Sequence, residues 1–174
     1  EEVFLSDFFP AKDESEIIDL SGIKCAPGDN IADVVDMNDT VLEIDNKSLS
    51  NRPDLWGHYG IARELSAIYD VPLKAQETYE IDKNLPKYDV EIKEPSKCYR
   101  YAAVEIDGIY EKQSPMWMQS LLVKCGGRPI NAIVDITNYV MFAVGQPLHA
   151  FDKTHVSGEK IVVRNAKVGE ELLL

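Results

Sequence analysis

The chain has 174 residues, 45% of them hydrophobic, and carries a formal net charge of −12. That length and apolar content predict one medium domain, or one with a small companion, able to build a real core. The acidic balance excludes a broad basic nucleic-acid footprint but leaves room for a local contact made by a few Arg and Lys residues.

Cys25, Cys98 and Cys125 are far apart and form no CxxC pair. A zinc site or a disulfide framework is therefore not expected, and the three read as reduced core thiols. No signal peptide or long apolar run is seen, so no membrane partner is expected. The chain begins at Glu1 and stops at Leu174 in an apolar run, which reads as a piece of a larger protein.

In chain order, residues 1–20 mix Phe4, Phe8 and Phe9 with acidic residues, and Ile17, Ile18 and Leu20 read as a short apolar element of unassigned type. Pro27-Gly28-Asp29 predicts a turn. Val41 to Asp45 alternates enough to predict a strand. Asp54, in Asn51-Arg52-Pro53-Asp54, is placed to cap a helix from Leu55 to about Tyr69, with Ile61, Leu65 and Ile68 at helical spacing. Arg63 and Glu64 read as surface charges on it, and Pro72 cannot prolong it.

Between Lys74 and Lys87 the sequence is polar and charged, and 76–87 reads as a linker. A strand pair is expected next, Tyr88–Lys93 with Arg100–Ile106, closing on Asp107-Gly108. Ser114-Pro115 predicts a helix start with the serine as N-cap and the proline at the first helical position. Trp117, Met118, Leu121 and Leu122 would be its core stripe, and Gly126 its end. A second helix is expected from Ala132 to about Val144, stopped by Gly145. Lys160–Arg164 reads as a strand and Lys167–Glu170 as a turn. Strands and helices mixed without a regular βαβ period predict an α+β fold.

The stretch from Gly126 to Asp152 is the most informative. Its apolar run is broken by Asp135, Thr137 and Asn138, and polar groups in such a run are costly to bury unless hydrogen-bonded or used. Glycines on both sides permit tight turns. Arg128 offers a fixed-charge fork suited to phosphate or ribose, Asn138 an amide donor and acceptor, and His149 an imidazole able to position a water or an ester. The plainer readings are a loop-bonding arginine, a surface amide and a satisfied turn histidine. Asp152 reads as a local cap or pair. His149, Asp152 and His155 lack the i,i+4 helical spacing of a zinc site, and no nucleophile elbow, P-loop or dinucleotide fingerprint is present.

Three motifs carry a resemblance: SLSNRPDLWGHYGIARELSAIY (Ser48–Tyr69), SPMWMQSLLVKCGGRPIN (Ser114–Asn131) and RPINAIVDITNYVMFAVGQPLHAFD (Arg128–Asp152). In this order and at this spacing they resemble bacterial phenylalanyl-tRNA synthetase β subunits over nearly the whole chain. The resemblance implies a B1-like scaffold segment over 1–75, a linker over 76–87, and the first part of a B3/B4 editing domain over 88–174. It also implies that the editing domain continues past Leu174 and takes further pocket residues, one of them acidic, from that continuation. Arg128 and Asn138 then fall on substrate-binding positions and His149 on a position for water or ester placement, in a site that hydrolyses mischarged tyrosyl-tRNA(Phe).

The parent would be a cytoplasmic ligase that uses ATP and Mg2+ and assembles from α subunits and a second β subunit around tRNA(Phe). This segment would hold no cofactor or metal itself. The rival reading, from another class, is a non-catalytic scaffold or tRNA-contacting module. In it Arg128, Asn138 and His149 are structural.

Overall fold

The computed structural model describes residues 20, 22–110 and 112–171. The expectations for residues 1–18 and for Leu172–Leu174 lie outside them. By packing the chain forms two compact units, Glu1–Ala75 with Glu111–Ala150, and Gln76–Tyr110 with Phe151–Leu174. Among the described residues four short α-helices and a two-stranded sheet give the expected α+β class.

The first unit is helical. Asn30 starts the short α1 (Ile31–Val34) by accepting the Ala32 N–H. A 3₁₀ turn at Pro53–Trp56 leads into α2 (His58–Tyr69), which stops at Asp70 in a left-handed conformation, two residues before Pro72. Helices α3 (Met116–Lys124) and α4 (Ala132–Val144) follow. Val35, Leu55, Met118, Leu122, Val123 and Ala132 are the buried apolar side chains among the described residues. Val35 and Val123 sit at the centre of a cluster with Ile31, Val34, Met37 and Met116 around them. Ser120 links the same two elements, donating its hydroxyl to the Val35 carbonyl at 2.5 Å.

Two glycines let backbones meet where a side chain could not fit. An ideal Cβ on Gly57 would lie 2.3 Å from the Gly145 nitrogen, and one on Gly60 would lie 1.6 Å from the Asp54 carbonyl oxygen. The Pro53–Trp56 turn, the start of α2 and the end of α4 are therefore pressed together at main-chain distance.

The second unit holds β1 (Asp89–Ile92) and β2 (Lys160–Val163), paired in parallel with Asp89 opposite Lys160 and Ile92 opposite Val163. Lys93 extends the ladder, its N–H reaching the Val163 carbonyl at 2.8 Å. Lys160 bridges to Glu91 at 3.0 Å and Asp89 at 3.6 Å, and Lys153 pairs with Glu105. The turn at Lys167–Glu170 forms as expected, with the Glu170 N–H on the Lys167 carbonyl at 3.1 Å.

Several expectations are corrected. Val41–Asp45 is not a strand; Val41, Leu42 and Ile44 are 64%, 76% and 55% exposed, so the alternation has no ladder partner to act on. Tyr88–Lys93 does not pair with Arg100–Ile106, because β1 takes β2 as its neighbour. Asp54 does not cap α2: Arg52 binds its carboxylate at 3.0 and 2.9 Å and Arg63 at 2.7 Å. Charge-assisted bonds to two guanidinium groups outweigh a neutral N–H. Arg63 and Glu64 are surface charges as expected, and both are paired, Glu64 accepting from Arg52 at 3.1 Å. Pro115, not Ser114, is the N-cap of α3, and Trp117 and Leu121 are 49% and 36% exposed while Val123 is buried. Cys25 is exposed and Cys98 and Cys125 are partly buried, so the free thiols are not core residues.

Candidate functional site

The stretch from Gly126 to Ala150 is a loop, a helix and a second loop. Helix α3 ends with Gly126 in the left-handed region at φ +75°. Its N–H returns to the Val123 carbonyl at 2.9 Å, and that of Gly127 to the Leu122 carbonyl at 2.8 Å. At the far side of the loop Asn131 caps α4, its side-chain oxygen accepting the Val134 N–H at 3.0 Å. Gly145, at φ +76°, closes α4 with its N–H on the Met141 carbonyl at 2.8 Å.

Asp135 is 1% exposed in the first turn of α4. One carboxylate oxygen accepts the Ser114 hydroxyl at 2.5 Å and the other the Ile130 N–H at 2.8 Å. Ser114, itself buried, has its carbonyl bonded by the Gln119 amide at 2.6 Å. The carboxylate therefore joins the approach to α3, the α3–α4 loop and α4.

Across the other end of α4, His58 donates Nδ1–H to the Phe142 carbonyl at 2.8 Å, while its Nε2 faces Cys125 Sγ at 3.8 Å. Burial pushes the Cys125 thiol up, against the charge of Lys124.

The three residues singled out from sequence are placed along α4. Arg128 is exposed in the loop before it, Asn138 is half-buried in its middle, and His149 is exposed in the loop after it. Arg128 and Asn138 make no side-chain hydrogen bond to a described residue, so the plain reading of a carbonyl-bonding arginine is not seen. A 13-residue helix is about 20 Å long, which sets the scale of the surface the three span. What they share is α4 as a common support.

Asp152 bonds locally, accepting the Thr154 N–H at 2.9 Å and hydroxyl at 2.6 Å, and those bonds hold its carboxyl below the usual range. Among the described residues no group of three or more His, Cys, Asp or Glu side chains is placed to hold a metal ion. No described helix is long and apolar enough to cross a membrane.

Sequence reasoning noted Asp135 as a polar break but gave it no task, assigned Ser114 to a cap, and passed over His58. The signal for the first two was present. A carboxylate on the buried side of an apolar helix must meet donors, and a serine shortly before the preceding helix is a natural one.

A family model described as the B3/4 domain matches residues 97–174. Over 133 residues the chain is 44% identical to the phenylalanine–tRNA ligase beta subunit of Solibacter usitatus, covering 76% of this chain and 17% of that protein. The corresponding beta subunit of Thermotoga maritima is 42% identical over 148 residues, 84% of this chain and 18% of its own length. That of Streptococcus mutans is 35% identical over 175 residues, 99% of this chain and 22% of its own length. The chain thus spans about a fifth of the relatives it matches.

Proposed function

We propose a function for a chain that belongs to the phenylalanine–tRNA ligase beta subunit family: it supplies one wall of a proofreading site that hydrolyses mischarged tyrosyl-tRNA(Phe). The observation that carries the reading is that the B3/4 match over 97–174 takes in Arg128, Asn138 and His149 together. In this reading 1–75 is a B1-like scaffold segment, 76–87 a linker and 88–174 the first part of the B3/B4 domain.

The parent is a cytoplasmic heterotetramer of two α and two β subunits that joins phenylalanine to tRNA(Phe). ATP and Mg2+ supply adenylate chemistry elsewhere in that enzyme. Among the described residues no group of three or more His, Cys, Asp or Glu side chains is placed to hold a metal ion here.

The chemistry follows from exposure and side-chain type. Arg128, on an exposed loop with no described partner, offers its guanidinium fork to a phosphate or the terminal ribose. Asn138 orients the aminoacyl group or its phenol. A site built to hydrogen-bond a hydroxyl disfavours the analogue that lacks it, by roughly 10⁴-fold where the groups are well placed. His149 positions water or the ester, and a substrate ribose hydroxyl can share the proton transfer.

Deacylation of tyrosyl-tRNA(Phe), with phenylalanyl-tRNA(Phe) as control, tests this in the assembled enzyme carrying Arg128→Ala, Asn138→Ala or His149→Ala. Selective loss with aminoacylation intact supports the proofreading wall. Unchanged deacylation in all three sinks it.

A scaffold role is favoured by one observation. Leu65, Ile68 and Tyr69, on one face of α2, are 42%, 64% and 69% exposed. Such a row suits packing against another part of the parent, and the same mutants decide between the two readings.

A further inference from the structure

We propose that Asp135 is a positioning residue for Arg128, acting through the Ile130 amide; the inference rests on the proofreading role given to Arg128 above. A buried carboxylate with no counter-charge is expensive, and Asp135 has no ion-pair partner among the described residues. Its two bonds go to neutral donors, the Ser114 hydroxyl and the Ile130 N–H. The second of these lies two residues from Arg128.

The loop between α3 and α4 shows what that bond does. Gly126 and Gly127 are tied back to α3, while Ile130 is tied to Asp135 and Asn131 caps α4. Between these anchors only Arg128 and Pro129 remain, and the proline ring fixes its own φ. Arg128 is exposed and has no described partner of its own. The main-chain position from which its guanidinium is presented is therefore set by the clamp on either side. Ser114 holds the carboxylate in turn, and the Gln119 amide and the Ala132 N–H, the latter on the Lys112 carbonyl at 3.0 Å, fasten the segment around Ser114. A binding group presented from a pinned loop loses less freedom when substrate arrives.

The experiment is a double-mutant cycle in the assembled parent enzyme, reading KM and kcat for tyrosyl-tRNA(Phe) deacylation, with aminoacylation as the check on assembly. Asp135→Ala removes the acceptor for Ile130 and is expected to raise KM about tenfold to a hundredfold, since a shift of about 1 Å in a binding group costs up to that much. Asp135→Asn keeps an oxygen for Ile130 and is expected to restore KM to within about threefold. In an Arg128→Ala background Asp135→Ala should add less than about twofold, because both act through one group.

If the two penalties instead multiply in full, Asp135 does not act through Arg128 and the inference falls alone. If Arg128→Ala leaves KM at the wild-type value, the role of Arg128 falls and takes this inference with it. Should Asp135→Ala fail to assemble, Ser114→Ala decides the question. It removes the hydroxyl that fixes the carboxylate but keeps the acceptor, and its KM penalty must likewise vanish in the Arg128→Ala background.

Discussion

His58 donates Nδ1–H to the carbonyl of Phe142 at 2.8 Å, so a side chain from the first turn of α2 closes the last turn of α4. The final carbonyls of a helix have no partner within it, and an imidazole supplies one here. Replacing His58 by Ala should lower stability by about 1 kcal/mol, the net value of a lost hydrogen bond. Urea denaturation should show a lower midpoint with an unchanged slope. An unchanged midpoint would mean that water satisfies Phe142 equally well.

Gly60 makes a sharper case, because two effects oppose each other. Glycine inside a helix is about 1 kcal/mol worse than alanine by propensity, so Gly60→Ala would stabilise a free helix. In the folded chain the new Cβ would stand 1.6 Å from the Asp54 carbonyl oxygen, and backbone cannot yield as a side-chain tip does. The steric term should win, with net destabilisation of about 1–3 kcal/mol. Gly22→Ala, where no described residue lies within 4 Å, should be close to neutral. A stabilised Gly60→Ala would show that the turn at Asp54 moves away freely.

These contacts also mark where sequence reading succeeds and stops. Helix α4 was legible because its signals are local: an apolar period from Ala132 to about Val144 and Gly145 as stop. The turns at Gly28 and Gly169 were legible for the same reason. The partner of β1 was not, since four residues alternating acidic and apolar can pair with any strand the chain brings alongside, and Arg100–Ile106 was nearer in sequence than Lys160–Val163. Ser114 and Asp54 had the chemistry of caps but met stronger partners through tertiary structure, a buried carboxylate and two guanidinium groups. For the candidate site, the residue types in Gly126–Asp152 were readable, whereas the clamp through Ile130 depends on a main-chain donor that no side-chain pattern reveals.

Lys124 presents a nearly buried ammonium, 8% exposed, between Asp39 at 3.0 Å and Asp36 at 3.4 Å. Burial disfavours its charge, yet the two carboxylates outweigh that and raise it above the usual lysine value. Removing one partner from a covered charge is worse than replacing the charge by an apolar chain of similar length. The double change Asp36→Ala and Asp39→Ala should therefore lower the urea midpoint more than Lys124→Met does. The reverse order would show that the ammonium reaches water once the acids are gone.

Arg164 and Glu170 tie the last described turn of the second unit, through two bonds of 2.7 Å, and Glu170 also accepts the Lys167 N–H at 2.6 Å. The Arg164 guanidinium first, then the Lys167 amide, hold the Glu170 carboxyl down at about 2, against an ordinary value of 4.5. A depressed carboxylate favours the folded turn at every pH above its unfolded value. Its contribution is lost as pH falls from about 4.5 through about 2, the interval in which the unfolded chain takes the proton more readily. The pair is exposed, so salt should weaken the effect. An NMR titration of the Glu170 carboxyl should place its midpoint near 2, and Arg164→Gln should return it most of the way to 4.5. A midpoint already near the ordinary value in the unaltered chain would show that the bidentate pair does not persist in solution.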